Sequence, residues 1–290
     1  MTVLDPVSKP VWAAPDLQPI VSQPSSDHSK VEISVVLPCL NEEASVVACV
    51  DSVREVLDLI GKPYEVIVVD NGSTDRSAVL AGAAGARVIH ESVPGYGSAC
   101  RAGLDAAHGR YLVLGDADGT YDFSEIPGLV ARLGGQVDMV LGNRLEGEME
   151  PGAMPWLHRR LGTPLLTGGV NVLFGSEVGD VNCGIRAITR SAYSKLDIRS
   201  TGMEFASEMV VRMVQGGFTL DETPVAYRRR TGGEAKLRTW RDGWRHLRLV
   251  VGSWLSQGRH PGAPVIDLAT SQLTIDLKRA DGPDADRLRL

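Results

Sequence analysis

Five short runs of apolar, mostly β-branched residues recur over residues 31–37 (VEISVVL), 64–69 (YEVIVV), 86–90, 111–114 and 138–141. Each is separated from the next by a segment long enough for a helix. Continuous apolar residues, rather than alternating ones, mark strands buried on both faces. Such strands, alternating with helices, form parallel sheets, because parallel neighbours need a crossover that helices supply. The chain is therefore expected to be α/β, with a mostly parallel central sheet flanked by helices.

The punctuation between the runs refines this. Pro38 is expected to end the first strand and Asn41 to N-cap a helix over 42–58. Further helices are expected over 77–84, 97–107, 124–133, 156–174 and 204–215. Later strands are expected over 181–189 and 219–227, the second broken by Pro224. Residues 1–30, rich in Pro, Ser, Asp and Gln, read as a flexible leader. The folded domain is expected over 31–228, a basic lid loop and amphipathic helix over 229–256, and a loosely ordered tail over 257–290, where 265–277 is a candidate strand or short helix.

Composition removes several function classes. With 36 acidic and 30 basic residues the net charge is −6, which argues against a general nucleic-acid binder. No apolar stretch approaches the ~20 residues of a membrane-spanning helix. Cys39, Cys49, Cys100 and Cys183 form no C-x-x-C pair and have no histidines at zinc-ligand spacing. No basic start followed by an apolar run marks a secretory signal, so a reducing cytoplasm is the expected setting. Gly95-Tyr96-Gly97 with Gly103 misplaces the third glycine of a dinucleotide fingerprint and does not follow the first strand. A helix start that needs small residues for close packing is the better reading. No G-x-x-x-x-G-K-[ST] run occurs, and His90, His108, His158 and His246 are scattered without a hydrolase pattern.

The polar signals fall at strand ends: Asn41, then Asp70 with Asn71-Gly72-Ser73, then Asp116 and Asp118. Ligands on open parallel sheets bind beyond the carboxyl ends of the strands. In Asp116-Ala117-Asp118, positions i and i+2 of an extended segment point the same way, so both carboxylates can face one site. Such a pair suits a hard cation, Mg²⁺ or Mn²⁺, that also holds a diphosphate; ordinary turn chemistry is the competing reading. Between Arg228 and Arg248 eight Lys or Arg stand against two acids, which suits either a solvated face or a mobile lid over phosphates. From Trp240 onward, helical spacing sets Trp240, Trp244, Leu247, Val251 and Trp254 on one side, which fits core packing or a membrane surface.

Three motifs follow one another, each at the end of an apolar run: Val35-Val36-Leu37-Pro38 with Asn41-Glu42-Glu43, Val68-Val69-Asp70-Asn71-Gly72-Ser73-Thr74-Asp75, and Gly115-Asp116-Ala117-Asp118-Gly119-Thr120, at intervals of about 30 and about 46 residues. As an ordered set they resemble the inverting GT-A type family 2 glycosyltransferases, most closely the dolichyl- or polyprenyl-phosphate mannose or glucose synthases, over residues 33–244. The resemblance implies a UDP- or GDP-hexose donor, a Mg²⁺ or Mn²⁺ cofactor and a polyprenyl phosphate acceptor. The alternative acceptor is a hydroxyl of a diffusible molecule. The helical spacing over 240–255 makes contact with the inner face of the membrane one reading for a cytoplasmic protein, with core packing the other.

Carried onto this chain, Pro38, Asn41 and Glu42 line the base and ribose, and Asp70, with Gly72 and Ser73, meets the nucleobase. Asp116 and Asp118 hold the metal, flanking Ala117, with Asp118 the more direct ligand. Arg144 lies near the sugar and diphosphate, and Asn182-Cys183-Gly184-Ile185-Arg186 shapes the donor-sugar and acceptor site. Glu208 stands on a helix behind, and Arg228 to Arg230 with Lys236 form a basic loop closing over the phosphates. Asp116, Asp118, Arg144, Arg186 and Glu208 make up the expected catalytic set. Asn71, Thr120 and Ala235 depart from the common Asp, Gln and Ser. A phosphate acceptor needs no general base, whereas a hydroxyl acceptor needs one of Glu204, Glu208, Asp180 or Asp122.

Overall fold

A computed structural model describes residues 31–232 and 239–257, with 239, 240 and 257 described by backbone alone. The expected leader over 1–30, Lys236 and the tail beyond 257, including 265–277, lie outside the described residues.

Seven strands form one sheet: β1 (Ile33–Cys39), β2 (Tyr64–Asp70), β3 (Arg87–His90), β4 (Tyr111–Leu114), β5 (Met139–Asn143), β6 (Arg186–Thr189) and β7 (Leu220–Pro224). Their order across the sheet is β3-β2-β1-β4-β6-β5-β7, and only β6 runs antiparallel to its neighbours. The helices are α1 (Val46–Ile60), α2 (Ser77–Ala83), α3 (Tyr96–Ala106), α4 (Ile126–Arg132), α5 (Thr163–Phe174), α6 (Arg190–Tyr193), α7 (Phe205–Gln215) and α8 (Thr239–Gln257). The mostly parallel sheet flanked by helices is as expected.

Both faces of the sheet are covered, which explains the continuous apolar runs. Val35 and Leu37 of β1 pack with Val50 and Leu57 of α1 and Leu129 of α4. Val36, between them, faces the other way, into a core with Leu104 of α3, Val170 of α5, Val210 of α7 and Val250 of α8. Burial of a side chain of this size contributes about 1.5–3 kcal/mol.

Several boundaries differ from expectation. β1 runs through Pro38 to Cys39 instead of stopping there. Its β4 side is paired only as far as Val36, so a residue without an N–H is tolerated beyond that point. Asn41 is not an N-cap: it adopts left-handed backbone, φ 55°, and α1 starts at Val46. The expected strand over 181–189 is reduced to β6, because Arg186 already lies opposite Leu114, the last residue of β4. Residues 182–185 therefore project past the end of β4. β7 stops at Pro224. The expected helix over 156–174 is interrupted by a π-helical turn at His158–Gly162.

Candidate active site

The antiparallel insertion of β6 decides what meets at the end of β4. It delivers the loop before Arg186 to the place where the chain leaves Leu114 for Asp116-Ala117-Asp118. A Cβ added to Gly184 would lie 2.5 Å from Asp116 Oδ2, so this approach requires glycine. The Gly184 N–H donates to the Tyr121 hydroxyl at 2.7 Å.

Asp116 and Asp118 are distinguished by their partners. The Tyr96 hydroxyl donates to Asp116 Oδ1 at 3.0 Å. Burial, and then the neighbouring Asp118 charge, push the Asp116 carboxyl from its ordinary 3.8 up to about 7. Asp118 Oδ1 accepts from the Thr120 N–H (3.0 Å) and hydroxyl (2.7 Å), so Thr120 supports the carboxylate itself. Asp118 Oδ2 accepts from Arg230 Nη2 at 2.8 Å, while Arg230 Nη1 reaches Glu42 Oε1 at 2.6 Å. Arg230 thus joins the β4 end to the loop after β1.

The loops after β1 and β2 are tied into one floor. The Asn41 N–H donates to Ser73 Oγ (3.0 Å), and the Thr74 N–H donates to Asn41 Oδ1 (2.7 Å). The Ser73 N–H donates to Asp70 Oδ1 at 3.1 Å, next to Gly72 with φ 87°. His90 Nδ1 lies 3.1 Å from Asp70 Oδ2. Pro38 sits one strand turn earlier, opposite Val69. Ser45 Oγ donates to the Ala117 carbonyl at 2.7 Å, which fixes the middle of the Asp-Ala-Asp segment to the start of α1. Asn71 donates through Nδ2 to the carbonyls of Glu91 (2.9 Å) and Val93 (2.8 Å) and accepts from the Gly95 N–H (2.7 Å). A carboxylate could not make the first two bonds, which accounts for Asn where Asp is common.

Arg144 leaves β5 and forks onto Asp180, Nε–Oδ2 2.6 Å and Nη2–Oδ1 2.9 Å, beneath the Tyr227 ring at 5.2 Å. Asp180 is fully buried, and the Arg144 charge lowers the Asp116 carboxyl against the effect of burial. Arg186 and Glu208 bond to backbone beside the aspartate pair rather than to the pair itself. Arg186, 1% exposed, donates to the carbonyls of Val181, Cys183 and Ala206. Glu208, 2% exposed, accepts from the N–H groups of Arg199 (3.0 Å) and Ser200 (2.7 Å) and meets Arg212 (3.4 Å). Both hold loops beside the aspartates.

The other candidate bases are also engaged: Glu204 by Arg245 at 2.6 Å, Asp180 by Arg144, and Asp122 by the Ser124 N–H and Arg228. The four cysteines are buried free thiols, and burial pushes Cys39, Cys49 and Cys183 up to about 12, so none supplies a thiolate. Tyr96, Tyr121, Tyr227 and Ser45 touch the site without having been singled out by sequence reading. The sequence signal for Tyr121 is its place directly after Asp118-Gly119-Thr120.

The aspartate pair fits a divalent cation by its chemistry. The pair offers hard carboxylate oxygens close enough for each charge to act on the other, the donor type that Mg²⁺ and Mn²⁺ take. Among the described residues no cluster of three or more His, Cys, Asp or Glu forms, so the protein would supply two ligands and leave positions for diphosphate oxygens.

Residues 34–197 match the family described as Glycosyl transferase family 2. The low-salt glycan biosynthesis hexosyltransferase Agl6 of Haloferax volcanii is 43% identical over 220 residues, 76% of this chain and 53% of the relative, so the match spans about half of that protein. The dolichyl-phosphate hexose transferase of the same organism is 31% identical over 207 residues, 71% of this chain and 86% of the relative. Among solved structures, glucosyl-3-phosphoglycerate synthase from Mycobacterium tuberculosis, in complex with Mn²⁺, UDP and glucosyl-3-phosphoglycerate, superposes with a TM-score of 0.59 at 25% identity, covering 80% of this chain and 82% of that one. With its sheet order, its strand-end aspartates and these likenesses, the chain belongs to glycosyl transferase family 2 and carries that family's domain on a GT-A type fold.

Proposed function

We propose that the protein transfers a hexose, with inversion, from a UDP- or GDP-sugar to a polyprenyl or dolichyl phosphate. Asp116 and Asp118 would hold Mg²⁺ or Mn²⁺, which neutralises charge on the departing diphosphate. Pro38, Asn41, Glu42, Asp70, Gly72, Ser73 and Ala117 would line the nucleotide, while Arg144, Arg230 and Lys236 add positive charge where the leaving group gains negative charge. Arg186 and Glu208 would act through the loops they hold. The likeness to a dolichyl-phosphate hexose transferase supports a lipid phosphate acceptor.

One observation supports the acceptor: of the carboxylates that sequence reading offers as a general base, Glu208, Asp180 and Asp122 are held by arginines or backbone amides, and Glu204 is tied to Arg245 through Oε1. A phosphate acceptor arrives as an anion and needs no such base. Among the described residues no helix is long and apolar enough to cross a membrane. Contact with the inner membrane face through residues 240–255 would bring the cytoplasmic enzyme to its acceptor. The likeness to the phosphoglycerate-glucosylating enzyme favours a second reading, a diffusible hydroxyl acceptor.

Labelled UDP- and GDP-hexoses, offered with detergent-solubilised polyprenyl phosphate and separately with a panel of alcohols, separate the two. Lipid-linked product is expected; product from alcohols alone rejects the proposal.

A further inference from the structure

The two aspartates are held in the same way, each by one oxygen. Asp118 Oδ1 is taken by the Thr120 N–H and hydroxyl, and its Oδ2 faces a cation, Arg230 Nη2 at 2.8 Å. Asp116 Oδ1 is taken by the Tyr96 hydroxyl at 3.0 Å. Asp116 Oδ2 lies on the Gly184 side, and among the described residues nothing donates to it. The Arg230 charge acts on Asp116 as well as on Asp118, so both carboxylates are within reach of that cation. A carboxylate turns about its Cβ–Cγ bond at little cost, so a donor on one oxygen fixes where the other points. Thr120 is two residues from Asp118 and comes with the loop. Tyr96 comes from another element and has to be brought there.

Three parts of the chain bring it. Just past β2, Asn71 Oδ1 accepts from the Gly95 N–H at 2.7 Å. Gly95, φ 135°, and Gly97 lie directly against the backbone of 200–202: a Cβ on Gly95 would overlap the Thr201 carbonyl, and one on Gly97 would stand 2.5 Å from the Ser200 carbonyl oxygen. The Ser98 N–H donates to the Thr201 carbonyl at 3.2 Å. That backbone is pinned in turn from α7, where the buried Glu208 accepts from the N–H groups of Arg199 (3.0 Å) and Ser200 (2.7 Å) through one oxygen, Oε2. The Tyr96 ring meets Phe205, the first residue of α7, edge to face with centroids 6.3 Å apart. A continuous line thus runs from Glu208 through the 199–201 backbone and the two glycines to the phenol and Asp116.

We infer that Tyr96 is a positioning residue for the transfer: its hydroxyl fixes Asp116 so that Oδ2 is the oxygen offered to the divalent ion, and Glu208 acts through it. The inference rests on the assignment of Mg²⁺ or Mn²⁺ to Asp116 and Asp118. It gives a use to a buried glutamate whose own bonds go to backbone and to Arg212. Removing a group that holds a metal ligand in place typically costs about ten- to a hundredfold in metal affinity.

The test is a calorimetric titration of Mn²⁺ into the full chain, with UDP and separately with GDP, repeated on three variants. Tyr96→Phe keeps the ring on Phe205 and deletes only the hydroxyl. It should bind Mn²⁺ about tenfold more weakly, or less tightly still, with whichever nucleotide supports binding in the unaltered chain. Glu208→Gln should also weaken Mn²⁺ binding, and the double variant Tyr96→Phe, Glu208→Gln should bind it no more weakly than Tyr96→Phe alone, because the two residues act in series. Equal or tighter binding by Tyr96→Phe overturns the proposal and leaves the metal site standing; a lower melting temperature with unchanged Mn²⁺ affinity does the same, since it marks a bond that serves the fold alone. Losses that add in the double variant overturn the line from Glu208 to the phenol. If Glu208→Gln does not fold, Tyr96→Phe decides by itself. Absence of Mn²⁺ binding by the unaltered chain with either nucleotide removes the metal assignment, and the inference with it.

Discussion

Arg230 stands where two carboxylates call for a cation, bridging Asp118 and Glu42 with 2.8 and 2.6 Å contacts. A divalent ion and this guanidinium would compete for Asp118, so Arg230→Ala should tighten Mn²⁺ binding in the absence of nucleotide, measured by calorimetry, while slowing transfer. Unchanged Mn²⁺ affinity would show that the arginine and the ion do not share Asp118. Asp118→Asn should lower transfer about a hundredfold or more, close to 3 kcal/mol of transition-state stabilisation, at unchanged melting temperature. The Arg144–Asp180 pair is a different case: it is buried and forked, and removing one partner leaves a charge without solvent or countercharge. Asp180→Asn should destabilise the fold by about 3–5 kcal/mol, read from denaturant midpoints. A loss under 1 kcal/mol would mean that water reaches Arg144. The aspartate pair was legible because the i, i+2 spacing at a strand end is a local signal. The Tyr96–Asp116 bond was not, because its partners are 20 residues apart and meet only once the Gly95-Tyr96-Gly97 helix start packs on the backbone of Ser200 and Thr201.

At the scale of elements, the first five strands were legible because both sheet faces are covered, so burial writes itself into consecutive residues. The order of the later strands was not. An antiparallel β6 between β4 and β5 has the same apolar content as a parallel strand, and only pairing decides its direction. α1 began four residues later than expected because Asn41 bonds across to the β2–α2 loop instead of capping its own helix. Elements here are also joined by single side chains, Glu65 of β2 above all. It accepts from Ser34 of β1 (2.6 Å), the His108 N–H before β4 (2.6 Å) and Arg87 of β3 (2.7 Å). Burial raises the Glu65 carboxyl, but these donors outweigh it and leave it below its ordinary 4.5. A depressed carboxyl contributes its full stability above the unfolded value and loses it as pH falls through the folded one. Glu65→Gln should therefore cost about 1–3 kcal/mol at neutral pH. That gap should narrow in urea titrations carried below the ordinary carboxylate range; a gap independent of pH would show that Glu65 acts by packing alone.

Across the whole molecule, one end of the sheet gathers two groups of loops, because antiparallel β6 begins where β4 ends. Loops after β1, β2 and β4, tied by Asn41, Ser73, Ser45 and Arg230, make one continuous surface for a nucleotide. The segment between β5 and β6 reaches the same end beside α7, on the side that the proposed function leaves for the acceptor. A ligand that bridges three strand ends and the Arg230 loop binds the folded chain and not the unfolded one, so its free energy adds to global stability by mass action. At a hundred times its dissociation constant the gain is about 2.7 kcal/mol, or roughly 5–10 °C in melting temperature for a domain of this size. UDP and GDP, each with and without Mn²⁺, should therefore separate in a melting experiment. One nucleotide should give the larger shift, and that shift should require Mn²⁺ and vanish with a chelator. The same shift should be lost in Asp118→Asn, whose carboxamide no longer matches the charge of the ion. A nucleotide shift that survives both chelator and Asp118→Asn would place the nucleotide away from the β4 end, and with it the reaction.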